Sequence, residues 1–343
     1  LVYLCTCLPG PYPLSTCVLV YTDPVTQYIV RRIIQALPLL FLISVAIFLM
    51  LQLIPGGPLA AYESNPNISP EDILRLEEEL GLRDPVHVKY IKWLGNVLQG
   101  DWGYSLVTRR PVLVEIGDRL PNTLYLAVIA FAISLLVAVP MGVISAVKQY
   151  SVLDHVITTI AFMGQSIPIF WFGLILIIIF NVMLQNPYTG EPLFPGGGMY
   201  TIGEPFFILD RIHHLILPVA MLSLFQLAQH TRYMRSGMLD VLHQDYIRTA
   251  RAKGLKERLV ISRHAFKNAA LPLVTITMLE MPGLFNGAVF TETIFSWPGM
   301  GRLFFNSAER VDYAVLMAII MLNATLIVFF NLVADIVYAY LDP

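Results

Sequence analysis

Six apolar runs, each long enough to cross a lipid bilayer, constrain this chain more than any other feature. A helix needs roughly 20 mainly apolar residues to span the hydrocarbon core. Only 13% of the residues are charged, against about 25% in soluble domains. The sequence therefore predicts an all-α polytopic membrane protein with six transmembrane helices, at residues 29–54, 122–147, 156–184, 212–234, 271–291 and 313–341.

Four prolines lie inside these runs, at Pro38, Pro140, Pro168 and Pro218. A proline removes one backbone donor, and neighbouring helices of a membrane bundle can satisfy the carbonyl that is left free. We therefore expect these prolines to kink continuous helices rather than to break them.

The distribution of basic residues predicts the orientation of the chain. The stretch 232–270 carries nine Lys and Arg residues against three acidic ones. Loops rich in Lys and Arg stay on the cytoplasmic side of a membrane. With six spans, both termini are then cytoplasmic, and Arg31 and Arg32 before the first span agree with this orientation.

The long segment 55–121 is then extracytoplasmic. Ser69, Pro70 and Glu71 have the order of a helix start: a capping hydroxyl, a proline in the first turn and an acid near the helix dipole. Gly81 predicts the end of that helix. A second amphipathic helix follows at 85–100, and we expect both to cap the outer surface of the bundle. The apolar face of the second helix comprises Val86, Tyr90, Trp93, Leu94 and Val97.

Residues 1–27 read as a separate N-terminal extension, ahead of a single transmembrane domain at 28–343. Pro9, Pro11 and Pro13 disfavour a helix there, and no basic residues precede an apolar stretch as in a signal peptide. We expect this extension to be poorly ordered. All three cysteines lie within it and imply no disulfide framework.

The motifs of several enzyme classes are absent from the sequence. It contains no GxxxxGK[ST] phosphate-binding loop, no GxSxG and no HExxH. His213 and His214 have no acids or thiols at metal-ligand spacing, so we expect packing rather than a metal site. A net charge of −2 gives no indication of a nucleic-acid partner. We expect a protein that is not an enzyme on its own and holds no cofactor.

The basic stretch has its own predicted structure: a helix over 238–252, a turn at Gly254 and a helix over 256–269. Pro272 then falls in the first turn of the fifth span, where proline is tolerated. On composition alone, an ordinary solvated loop is the simpler interpretation. Its small residues Ala250, Ala252 and Gly254 would let another protein surface approach closely.

The exact order of residues in this stretch is more specific than its composition. DYIRTARAKGL, followed by RHAFKNAALPLVT, closely resembles the EAA loop of ABC-importer permeases, in particular those of the dipeptide, oligopeptide and nickel importer family. The resemblance covers roughly residues 27–343. It includes the stretches YIVRR at 28–32, GDWGYSLVTRRPVLVEIGDRLPNTL at 100–124, SIPIFWFGLILI at 166–177 and TETIFSWPGMGRLFFNSAERVDY at 291–313.

The resemblance implies a permease that forms half of a pore in the plasma membrane of a prokaryote. Its implied partners are a second homologous permease, two cytoplasmic ATPase subunits that carry ATP and Mg²⁺, and an extracytoplasmic binding protein that delivers substrate. The loop at 235–270 would be the coupling loop, seated on an ATPase. Its implied contact residues are Tyr246, Arg248, Ala250, Arg251, Ala252, Gly254 and Leu255.

Polar residues within the spans are candidates for the substrate pathway. Glu280 lies about 13 Å along the fifth span, where it could receive a peptide's ammonium group or bond to the partner permease. Trp297, in the outer loop with Pro298, could contact the binding protein or roof the pore. Asp335, near the cytoplasmic end of the sixth span, is expected to be structural. The remaining candidates are Gln226, Asn286 and Asn323.

Two alternatives remain open at the level of sequence. Relatives of this family are associated with peptides, nickel, glutathione and oligosaccharides, so the same architecture could carry any of these. A transporter or channel that works alone would be a different class. It would need an ion relay or inverted repeats with broken helices, and apart from Glu280 we expect neither.

Overall fold

The computed structural model describes residues 24–53, 59, 69, 71, 74–75, 83–188, 190–203, 208–286 and 288–341. These residues are almost entirely helical, and they contain no extended β-strand. The expectations for residues 1–23 and for most of the helix over 69–81 fall outside this part of the chain. Within it, five helices are long and apolar enough to cross a membrane, or six if one bent pair counts as a single span.

The first span, α1, runs from Pro24–Gln52, and therefore begins inside the predicted extension. Helix α2, Val86–Leu98, packs on its C-terminal half. The hydroxyls of Tyr90 and Ser44 lie 2.7 Å apart, and the rings of Tyr90 and Trp93 both contact Phe48. The predicted amphipathic helix thus exists and packs against a span.

Two long helices form the centre of the bundle. Helix α3, Val112–Val147, begins well before the predicted residue 122. It packs along the long helix of the fourth span, Ile208–Leu242. Gly142 allows these two helices to pack closely, because a Cβ atom there would lie 2.6 Å from Cβ of Met234 and 2.9 Å from the carbonyl oxygen of Thr231. Small residues at such crossings are typical of membrane helices.

The third span is broken into α4, Val152–Ser166, and α5, Ile169–Met183, which meet at 100°. The prediction of a kink at Pro168 was therefore wrong. Ile167 adopts an extended conformation, which a following proline favours. Pro38, Pro140 and Pro218, by contrast, lie inside continuous helices as predicted.

The remaining elements complete the chain, with the fourth-span helix labelled α6. After α6 come α7, Asp245–Ala252, and α8, which joins Glu257–Leu259, the π-helical Val260–Ala265 and Phe266–Ala269. The fifth span consists of α9, Leu271–Glu280, α10, Gly283–Asn286, and α11, Val289–Ile294. Helices α12, Met300–Glu309, and α13, Tyr313–Leu341, follow.

Two spans are thus interrupted, the third and the fifth. The interruption of the fifth span, Leu271–Ile294, has a local reason. Pro282 follows the end of α9 and has no N–H to continue the hydrogen-bond ladder. Pro272, in the first turn of α9, is tolerated as predicted.

Candidate coupling loop and membrane pathway

The basic stretch folds as two short helices beneath the end of α6. The predicted helix over 238–252 was wrong, because α6 continues to Leu242 and α7 starts separately at Asp245. The turn between them directs Ile247 and Ala250 back into the bundle, whereas a straight continuation of α6 would carry them away from it. Gly254 has φ +75°, a left-handed conformation that suits the predicted turn.

The inner face of this loop is anchored in the protein. Ile247 is fully buried and Ala250 is 6% exposed, and both belong to one apolar cluster with Met234 and Met238 of α6. Burial of this face fixes α7 to the end of α6.

A second anchor joins α6 to α8 through their backbones. A Cβ atom on Gly237 would lie 2.4 Å from the carbonyl oxygen of Ala269. The two helices therefore touch where no side chain intervenes, so a displacement of α8 must move the end of α6.

The outer face of the loop carries most of the predicted contact residues. Tyr246 is 42% exposed, and Leu255 is half-buried. Ala250 is the exception, because its small side chain fits the loop against the bundle. Close approach by a partner would therefore rest on Ala252 and Gly254. The exposed members are Tyr246, Arg248, Arg251, Ala252 and Gly254.

Hydrogen bonds within the loop hold its two helices together. The Arg251 guanidinium donates to Glu257 at 2.6 Å, and this contact lowers the pKa of the Glu257 carboxyl from its ordinary value. Asn268 donates to the Tyr246 hydroxyl at 2.9 Å. Arg248 contacts Asp245 at a long distance of 3.4 Å, and both side chains are exposed. Arg248 is therefore the more available of the two predicted arginines.

An ion pair links three spans next to this loop. Arg235 of α6 donates to Asp154 of α4 through Nε and Nη2, both at 2.9 Å. Ser145 of α3 also donates to this carboxylate, which is 2% exposed. The sequence analysis missed this pair and counted Arg235 as a loop residue. The signal was an acid at the start of an apolar run, with a capping Ser151 before it.

Glu280 lies at the end of α9, where the fifth span breaks. Its Oε2 atom is 2.8 Å from Nε2 of His230, whose Nδ1 atom is 2.8 Å from Oγ of Ser134. His230 and Ser134 are fully buried, whereas the Glu280 side chain is 28% exposed. Glu280 therefore has one hydrogen-bond partner within its own chain. Sequence reasoning missed His230 and Ser134, although each is a polar residue within an apolar run.

The other candidates for the substrate pathway differ in whether the structure describes their side chains. The Oε1 atom of Gln226 and the Oδ1 atom of Asn323 are buried without a hydrogen-bond partner among the described residues. Asn286 ends α10, and its side chain and that of Asp335 lie outside the described part.

Trp297 is fully buried rather than exposed in the outer loop. Its Nε1 atom donates to the Asn122 carbonyl at 3.0 Å, and its ring packs with Leu126 and Met199. Glu292, also fully buried, accepts from the Thr123 hydroxyl at 2.8 Å and from the Arg302 N–H at 3.0 Å. These contacts fix α11 and the segment that follows it to α3.

The two adjacent histidines make separate packing contacts. His214 Nδ1 lies 2.9 Å from the Asp210 carbonyl oxygen, and the His213 ring packs edge-on against Phe194. Within the described residues, no group of three or more His, Cys, Asp or Glu side chains could hold a metal ion.

Comparison with known proteins places this architecture in a family. Residues 138–343 match the family described as binding-protein-dependent transport system inner membrane component, and residues 25–127 match the N-terminal region described for such membrane components. The inward-facing MetNI methionine ABC transporter shares the fold, with a TM-score of 0.51 at 14% identity. That match covers 67% of this chain and 98% of the other.

Curated relatives match along nearly their whole length. The oligopeptide transport system permease protein AppB of Bacillus subtilis is 47% identical over 317 residues, which cover 92% of this chain and 98% of the relative. The dipeptide transport system permease protein DppB of Escherichia coli K12 is 39% identical over 334 residues, with the same coverage. The chain therefore belongs to the binding-protein-dependent inner membrane components, the permease subunits of ABC importers.

Proposed function

We propose that this chain is the permease subunit of an importer for di- or oligopeptides. The observation that carries the proposal is the 47% identity to a permease named for oligopeptide transport, over 92% of this chain. A di/tripeptide permease of Pseudomonas aeruginosa is also 38% identical over 328 residues. The family match over residues 138–343 includes both the coupling loop and the segment 291–313.

The proposed assembly contains a second homologous permease, two cytoplasmic ATPase subunits and an extracytoplasmic binding protein. ATP and Mg²⁺ would bind to the ATPase subunits. The exposed basic face of α7 supports a cytoplasmic position for the loop, and both termini would then be cytoplasmic in a prokaryotic plasma membrane.

The loop geometry supports a mechanical role. Closure of the ATPases on ATP would press on the outer face of α7 and α8. Ile247 and Ala250 would transmit this displacement to α6, and the contact of Gly237 with Ala269 would act in parallel. The importer would be driven between its states because the ATP-bound partner binds one of them better.

Uptake into proteoliposomes that contain the complete complex tests this function. A labelled tripeptide, an oligosaccharide and Ni²⁺ would each be supplied with the binding protein, with and without ATP inside. We expect accumulation of the peptide alone, and only with ATP and the ATPase subunits. Accumulation of the sugar or of nickel instead would favour the alternative substrates, and uptake without ATPase subunits would indicate a transporter that works alone.

A further inference from the structure

We propose that the break after α9 forms a cation site, in which the carboxylate of Glu280 receives the ammonium group of a peptide in transit. His230 and Ser134 are the positioning residues of this site. This inference rests on the proposed peptide importer and names the chemical group that the membrane pathway recognises.

The depth of Glu280 is the first observation. It is the last residue of the ten-residue helix α9, so it lies about 13 Å along a helix that rises about 1.5 Å per residue. That is close to the middle of a hydrocarbon core about 30 Å thick. A carboxylate at this depth is costly unless it serves a pathway or has a partner.

The second observation is how the carboxylate is held. One hydrogen-bond pattern satisfies all three groups: Ser134 donates to Nδ1 of His230, and Nε2–H of His230 donates to Oε2 of Glu280. This pattern fixes Glu280 through one oxygen only. No donor among the described residues bonds the other oxygen, Oε1, and the side chain is 28% exposed.

The arrangement does not suit hydrolysis, although it contains Ser, His and an acid. Ser134 and His230 are both fully buried, so a substrate carbonyl could not reach the hydroxyl. Only the carboxylate end of the chain of hydrogen bonds reaches exposed surface.

The third observation is that the carboxylate has no cationic side chain of the described residues as a partner, while acceptor groups lie on the neighbouring elements. Glu280 ends a helix, and the C-terminal end of a helix carries partial negative charge. Gln226 lies one turn before His230 on the same face of α6, and its Oε1 atom is buried without a donor in the described part of the chain. No Lys or Arg of that part forms an ion pair with Glu280. The site is therefore complementary to a group with several N–H donors and a positive charge.

The short interruption of the helix within the fifth span, Leu271–Ile294, is the fourth observation. Interrupted membrane helices commonly mark binding sites near the midplane, where the end of a half-helix contacts a charged substrate. The break is at Met281 and Pro282, directly after Glu280.

Uptake by the complete complex in proteoliposomes tests the proposal, with one tripeptide in two forms, a free amino terminus and an N-acetylated one. Both are supplied at concentrations that saturate the binding protein, and its occupancy is measured separately. The variant is Glu280→Gln, because the amide oxygen can still accept from His230 while the charge is removed.

We expect the wild type to transport the free-amine peptide faster. In Glu280→Gln, its maximal rate should fall about tenfold, as for the loss of a charge-assisted hydrogen bond, while the rate for the acetylated peptide stays within about twofold. The control is Glu292→Gln in the same span, whose carboxylate is fully buried against Thr123 and Arg302. It should keep the wild-type ratio of the two rates even where both rates fall.

An unchanged ratio in Glu280→Gln would overturn the cation site while leaving the peptide importer intact. If the wild type transports neither form although the binding protein is loaded, both the proposed function and this inference fail. The wild-type measurement thus separates the two failures.

Discussion

The hydroxyl of Ser134 illustrates how single polar atoms hold this membrane protein together. It is fully buried and bonds Nδ1 of His230 at 2.8 Å. Inside a bilayer no water can replace a lost hydrogen-bond partner. The loss of the Ser134 hydroxyl would therefore weaken the hydrogen bonds of both His230 and Glu280.

Replacement of Ser134 by Ala should destabilise the protein by about 1–3 kcal/mol, because His230 is left with an unpaired buried nitrogen. The measurement is the apparent midpoint of thermal unfolding in detergent. Ser166→Ala is the matched control, since that hydroxyl is exposed and bonds only the Phe162 carbonyl of its own helix. Equal midpoints for the two variants would contradict the account of His230.

Gly254 is the residue on which the proposed coupling contact depends most. Its φ is +75°, and a Cβ atom there would meet nothing within 4 Å. A side chain at this position therefore protrudes from the loop instead of disturbing the fold, at a backbone cost of about 1–2 kcal/mol. Gly254→Asp should abolish ATP-driven uptake while the protein still inserts into the membrane.

Gly190→Asp is the control for this variant, because Gly190 has φ +73° and equally open surroundings far from the coupling loop. Uptake is measured in proteoliposomes, and membrane insertion by fractionation. Normal uptake by Gly254→Asp, or an equal loss in Gly190→Asp, would exclude a specific coupling role for this turn.

At the scale of the elements, the contact between α6 and α8 leaves no room for a side chain at Gly237. Gly237→Ala would place a Cβ atom 2.4 Å from the Ala269 carbonyl oxygen, a backbone atom that cannot rotate away. We expect a loss of about 1–3 kcal/mol from overpacking and weaker coupling between ATP hydrolysis and uptake.

Gly95→Ala in α2 is the matched substitution, since nothing lies within 4 Å of that position. Alanine there should stabilise the helix by about 0.5–1 kcal/mol. Thermal unfolding of both variants, and the ratio of ATP hydrolysed to peptide imported, check the prediction. A Gly237→Ala protein that is as stable and as tightly coupled as wild type would show that the helices separate without cost.

The spans themselves could be predicted from sequence because apolar length alone decides whether a helix can cross a bilayer. The positions at which the helices break could not be predicted from the sequence. Pro140 and Pro168 look alike in the sequence, yet only Pro168 separates two helices, because the packing around each proline decides the outcome. The bond between His230 and Glu280 was also out of reach, since it joins residues that are far apart in the chain.

For the coupling loop too, only part of the structure could be predicted from the sequence. The sequence of the loop resembled a coupling loop and so indicated its contact residues. The turn at Gly254 was predicted from the conformational freedom of glycine. The burial of Ala250 could not be predicted, because it depends on where α6 ends and on the turn at His243 and Gln244.

At the scale of the whole molecule, the coupling loop has two faces with different roles. Its inner face is anchored in the bundle, and its outer face is basic and exposed. A partner that displaces the outer face of the coupling loop would also displace α6, because buried contacts join the two. The sharp bend of the third span is a place where such a displacement could change access to the pathway.

Site-specific photo-crosslinking tests the central claim, that this chain receives work from an ATPase through the outer face of α7, most directly. A photoreactive side chain is introduced at Ala252 on the outer face, at Ala250 on the inner face, or at Gly190, in the complete transport complex. The account predicts a cross-link to the ATPase subunit from position 252, with none from 250 or 190. An active complex in which position 252 fails to reach the ATPase, or in which all three positions react alike, would contradict it.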